Sequence, residues 1–223
     1  MDKYKNQFPK NFLWGASTAS HQVEGGTHNQ WSVWELQNAQ EKAKSAHADL
    51  GWLPNWEDIK SEAENPDNYI SGKGVEHFKR YKEDLKLVKE LNLNSFRFGI
   101  EWARLQPEEG KWDEQAVEHY KNYIKKLKAQ NIEPMLNLWH WTVPVWFADK
   151  GGFEKKQNLK FWDEFVQKVA EEFAPLVRNI ITLNEPNVYA SHSYVMGWWP
   201  PNQKSWLNGS FVIWHLVLAH RRA

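Results

Sequence analysis

Four apolar runs, separated by amphipathic helical patterns, constrain the fold of this chain more than any other feature. The runs are "FLWGAS" (12–17), "SFRFGI" (95–100), "EPMLNLW" (133–139) and "NIITLN" (179–184). None alternates cleanly between polar and apolar residues, which suits strands covered on both faces in a parallel sheet. Between them, Phe78, Tyr81, Leu85 and Val88 recur at helical spacing in a charged background. Val117, Tyr120, Ile124 and Leu127 repeat the spacing, with Asp113 placed as N-cap. Phe161, Phe165, Val169 and Phe173 do so again before Pro175. The segment "SFVIWHLVLAHRRA" predicts a fourth helix after Asn208–Gly209, with Ser210 a candidate N-cap. Strand and helix thus alternate four times, which predicts parallel βαβ crossovers and an α/β fold. The polar stretch 36–74 interrupts the pattern and is expected to be a long loop insertion after the first strand, carrying a short helix. No shift in composition marks a second domain, so residues 1–223 read as one.

Polar residues cluster where the strands end. Gln22 follows the first, Arg97 and Glu101 lie at the second, His140 and Trp141 follow the third, and Asn184 and Glu185 close the fourth. Convergence of strand ends on one face is how a (β/α)₈ barrel builds its site. No G-x-G-x-x-G follows the first strand, which removes the dinucleotide-binding alternative. Fifteen tryptophans exceed what packing requires, and indole suits a surface for a flat, amphipathic ligand. Twenty-eight basic residues balance 28 acidic ones, so the charge gives no reason to expect nucleic acid or an anionic membrane as partner. With no cysteine and no His-x-x-x-His spacing, the sequence implies no thiolate metal site, and no cofactor is expected. The first residues lack a signal peptide's apolar core, from which a cytoplasmic location is expected.

Glu185 is the residue most suggestive of chemistry. A carboxyl at a strand end among indole rings would lose hydration and favour its neutral form, as a general acid requires. Glycoside hydrolysis uses such an acid with a second carboxylate, and a neighbouring amide such as Asn184 could bind the sugar 2-hydroxyl. Other readings stand beside this one. Asn184–Glu185–Pro186 is also ordinary strand-ending sequence, Gln22 suits a cap, His140 and Trp141 suit a core, and Arg97 suits a buried ion pair.

The blocks "FPKNFLWGASTASHQVEGG", "FRFGIEWARLQPEEGKWDEQAVEHY", "LNLWHWTVPVWFADKGGF" and "TLNEPNVYASHSYVMGWWPP" resemble, in order, those of glycoside hydrolase family 1, the β-glucosidases and β-glycosidases. That resemblance implies a (β/α)₈ barrel of retaining glycosidases, with this chain covering about the first four βα units. It further implies that Glu185 is the acid/base, Asn184 the 2-hydroxyl ligand, and Gln22 and His140 ligands of other sugar hydroxyls. Trp141 would flank the same subsite, and Arg97 would lie beside the nucleophile. Glu24 and Glu101 are implied to be supporting only. The family's nucleophile lies in a Thr/Ile-Glu-Asn-Gly block, and no Glu-Asn-Gly occurs here. The expected partners are therefore a β-linked saccharide or β-glucoside and either a C-terminal half-barrel chain or a second copy joined through exposed sheet edges. A two-fold pair of copies would put the partner's third strand where strand seven belongs, bringing no glutamate nucleophile. A non-catalytic carbohydrate-binding or assembly half-barrel is the alternative.

Overall fold

The computed structural model describes residues 8–223. The four apolar runs form strands β1 (Gly15–Ser17), β2 (Ser95–Gly99), β3 (Glu133–Trp139) and β4 (Asn179–Leu183). They pair in parallel in sequence order, leaving β1 and β4 as the two edges. Register places Ser17 beside Arg97, Arg97 beside Met135, and Met135 beside Asn179. Because side chains alternate along a strand, Phe96, Phe98, Leu136 and Leu138 share one face, and all four are buried. Ser17, Arg97, Met135, Ile181 and Leu183 occupy the other face, and each is exposed or half-exposed. This is half of a (β/α)₈ barrel: helices cover the outside, and the inside is open.

The helices in chain order are α1 (Ser20–Val23), α2 (Gln30–Leu50), α3 (Trp56–Ala63), α4 (His77–Glu90), α5 (Trp102–Leu105), α6 (Glu114–Ala129), α7 (Val145–Asp149), α8 (Leu159–Phe173), α9 (Pro186–Ala190) and α10 (Trp206–Arg222). The three periodic stripes appear where the spacing puts them. Helix α4 buries Tyr81, Leu85 and Val88, α6 buries Val117, Tyr120, Ile124 and Leu127, and α8 buries Phe161, Phe165, Val169 and Phe173. Asp113 caps α6 by accepting from the amides of Gln115 and Ala116 at 2.9 and 3.0 Å. Asp113→Ala is expected to lower unfolding free energy by about 1 kcal/mol in urea titration.

Two expectations need correction. The stretch 36–74 is not a loop but is largely helical, belonging to α2 and α3. Asn29 starts α2 with a reciprocal capping box to Ser32, and Ala39, Ala43 and Ala46 form its buried stripe. Nor does α10 start at Ser210. Ser205 is its cap, accepting from the Asn208 amide at 3.2 Å, and Gly209 lies inside the helix against Val195. Helix α10 is apolar on two sides. Val212, Leu216 and Ala219 are buried, whereas Trp206, Leu207, Phe211, Trp214 and Val217 face outward, Trp206 at 79% exposure. A helix apolar all round is normally covered all round. Among the described residues no helix is long and apolar enough to cross a membrane.

Candidate active site

Beyond the ends of β3 and β4 the backbone leaves the extended conformation at non-glycine residues. Pro186 has no N–H for a ladder, so β4 stops at Leu183 and Glu185 turns into α9 with left-handed φ 41° and ψ 58°. Trp141, past the end of β3, also has positive φ, at 74°. Left-handed backbone at non-glycine residues costs on the order of 1–3 kcal/mol each, and such strain collects at functional sites.

A relay of hydrogen bonds ties the strand ends together. Arg97 on β2 donates to the Asn184 Oδ1 at 2.5 Å. Since arginine only donates, this fixes the orientation of the Asn184 amide. Its Nδ2 then donates to His140 Nε2 at 3.2 Å, which makes that nitrogen the acceptor and leaves the second amide N–H of Asn184 without a partner among the described residues. The Trp141 indole N–H donates to the Asn184 carbonyl at 3.0 Å. Burial, with Arg97 nearby, pulls His140 down to about 4, so the ring stays neutral at pH 7. Burial likewise lowers Arg97, while the Glu185 carboxylate works to keep it charged. Arg97 Nε is buried and has no acceptor among the described residues.

Gln22 lies in the single turn α1, exposed, and lines a cavity of about 190 Å³ together with His140, Trp141 and Trp31. The structure brings five of the six expected residues together, Arg97 from within β2 and the others from beyond the strand ends. Gln22, His140 and Trp141 line the cavity, and Asn184 and Arg97 stand behind it. Glu185 is next to them in sequence and within electrostatic reach of Arg97. One expectation fails: Glu185 is exposed rather than dehydrated. Among the described residues β4 is an edge of the sheet, with no strand paired on its far side.

Several residues enter that the sequence reading missed. Trp31 stacks on Trp141 with centroids 6.3 Å apart, and Trp199 tilts against Trp141 at 4.6 Å. The Trp198–Trp199 doublet ahead of two prolines was the signal available. His21 is clamped on both ring nitrogens. Its Nδ1 accepts from Asn29 Nδ2 at 3.2 Å, and its Nε2 lies 3.0 Å from the Glu35 Oε1. Burial opposes ionisation of Glu35, but donors on His21 and Ser71 outweigh it and hold the carboxyl below its usual range. Helix α2 thereby fixes the neighbour of Gln22. Among the described residues no group of three or more His, Asp or Glu could hold a metal ion.

Glu24 and Glu101 lie behind the cavity, buried and already engaged. Glu24 accepts from the Tyr120 hydroxyl at 2.8 Å and the Arg104 Nε at 2.8 Å, and Glu101 accepts from the Thr142 hydroxyl at 3.0 Å. Burial raises Glu24 to about 7 despite Arg104, and burial raises Glu101 as well. The folded chain then holds a proton that the unfolded chain has released between pH 4.5 and 7. Stability is fullest below that window and falls as pH rises through it, by at most ~1.4 kcal/mol per pH unit for one group. Urea midpoints across the window are expected to decline in the parent and to flatten in Glu24→Gln. An equal slope in both would remove Glu24 as the cause.

The model of the family described as glycosyl hydrolase family 1 matches residues 4–223. β-Glucosidase A of Acetivibrio thermocellus is 29% identical over 221 residues, spanning 98% of this chain and 45% of that protein. An aryl-phospho-β-D-glucosidase of Bacillus subtilis is 28% identical over 207 residues, 91% of this chain and 39% of that one. Among solved structures, a β-glycosidase from Pyrococcus horikoshii matches with TM-score 0.80 and 34% identity, covering 97% of this chain and 45% of that chain. A Thermotoga maritima β-glucosidase in complex with a methoxycarbonyl-substituted glucoimidazole matches with TM-score 0.78 and 27% identity, over 97% and 46%. The chain spans about half the length of the relatives it matches. A match that runs almost from end to end, and takes in every strand and the residues gathered at their tips, makes this chain a member of glycosyl hydrolase family 1.

Proposed function

We propose that this chain is the acid/base-bearing half of a retaining β-glycosidase acting on β-glucosides. The observation that carries the reading is the relay from Arg97 through Asn184 to His140, which orients the Asn184 amide and ties it to a ring lining a cavity of single-sugar scale, with Glu185 next in sequence. Glu185 protonates the glycosidic oxygen while a glutamate from a second half attacks the anomeric carbon. Its carboxylate then takes a proton from the water that cleaves the glycosyl-enzyme bond. Asn184 holds the 2-hydroxyl through its second N–H, and Gln22 and His140 hold other hydroxyls. Trp141 walls the sugar.

The second half supplies the other four βα units. The open inner face, the β1 and β4 edges and the outward apolar stripe of α10 support such a partner. The orphaned Arg97 Nε supports a carboxylate as the group that meets it. The exposure of Glu185 favours a second reading for the chain by itself, a sugar-binding half-barrel without turnover.

One experiment separates the two. Phenyl β-D-glucoside is expected to bind the isolated chain without release of phenol, and release is expected once a half carrying Thr-Glu-Asn-Gly is added. Failure of the reassembled barrel to turn over leaves the binding module. Hydrolysis by the chain purified alone would overturn the division of roles.

A further inference from the structure

Beside the sugar-sized cavity lies a larger one of about 460 Å³, and the two share Trp31, Glu35 and Ser71. One wall is α2. Trp31, Glu35, Asn38 and Lys42 all line the cavity, at intervals of three and four that keep them on one face of the helix. Trp31 and Lys42 are 11 residues apart, which at ~1.5 Å rise per residue sets them roughly 16 Å apart along the axis. The facing wall is Tyr69 with Trp198 and Trp199. The compartment is thus aromatic at the end next to the sugar pocket and cationic at the far end. Glu35 keeps its negative charge at the end next to the sugar pocket, held by Ser71 and by the His21 ring 3.0 Å away, and stands seven residues from Lys42 along α2. Lys42 is half-buried, its neighbour Glu41 pairs with Lys44 instead, and among the described residues Lys42 has no carboxylate partner.

We propose that this compartment receives an aryl group bearing an anionic substituent, joined to the sugar held by Gln22, His140 and Trp141, with Lys42 as the counter-ion. The inference rests on the sugar-site reading above and specifies the class of substrate. Aromatic walls take the ring face, and a partly desolvated ammonium takes the anion at its edge. A half-exposed charge pair is partly screened, so the preference is moderate and falls with added salt.

Tryptophan fluorescence of the 223-residue chain reads binding of three probes at low ionic strength: phenyl β-D-glucoside, 4-carboxyphenyl β-D-glucoside and 4-hydroxybenzoate. The carboxyphenyl glucoside is expected to bind about tenfold tighter than the neutral one, a difference of ~1.4 kcal/mol. Lys42→Met is expected to erase that preference without moving the Kd of phenyl β-D-glucoside, and Lys42→Arg to retain it. Equal affinities, or a preference that survives Lys42→Met, overturn the assignment while leaving the sugar site standing. Lys42-dependent binding of 4-hydroxybenzoate with no binding of either glucoside upholds the compartment and overturns the sugar site. If no probe binds, both fall.

Discussion

Glu185→Ala, assayed with the complementary half in place, is expected to lower aryl β-glucoside turnover by roughly 10²- to 10⁴-fold, the range that general acid–base catalysis contributes. The loss is smallest for substrates whose leaving group departs without a proton. For those, the glycosyl-enzyme accumulates because water is no longer deprotonated. Azide, a nucleophile that needs no base, then restores turnover and releases a glycosyl azide of retained configuration. Turnover in Glu185→Ala equal to that of the parent would end the assignment of Glu185 as the acid/base. Rescue by azide would further separate a missing base from a misfolded barrel, because a collapsed site offers nothing to rescue.

Trp162→Ala is the largest stability loss we expect outside the site, about 3–5 kcal/mol. Trp162 is fully buried between Trp102, Phe153 and Phe165, with ring centroids 5.5–5.9 Å away. Its indole N–H also donates to the Ala219 carbonyl at 2.9 Å, tying α8 to α10. The alanine variant leaves both a cavity and an altered link between the two helices. Trp162→Phe keeps most of the volume but drops the hydrogen bond and part of the ring, so its cost is about 1–2 kcal/mol. Against a typical total of ~5–15 kcal/mol, the alanine variant is expected to unfold at markedly lower urea, and a midpoint within error of the parent would contradict this core assignment.

The strands and the three stripe-bearing helices were legible because large apolar side chains report the period directly. Helix α2 was not, because its buried face is Ala39, Ala43 and Ala46, residues too small to stand out against a polar background. The start of α10 was misplaced for a related reason. Asn208–Gly209 has the chemistry of a turn, yet the close approach of Val195 gives the glycine a role inside the helix. At the site, residue types and their positions along and beyond the strands pointed to Gln22, Arg97, His140, Trp141 and Asn184, which the fold brings together. What joins them was not legible: Arg97 reaches Asn184 across 87 positions, and Ser71 reaches Glu35 across 36. Exposure of Glu185 depends on what lies beyond β4, which local sequence does not encode.

The left-handed backbone at Trp141 sets folding and binding against each other at a single position. Glycine would adopt that φ freely and relax the turn, but it would strip away the ring that meets Trp31 and Trp199. A β-branched replacement would fare worse on both counts. Libraries ranked by thermal resistance should therefore enrich glycine or asparagine here, and libraries ranked by ligand capture should restore the indole.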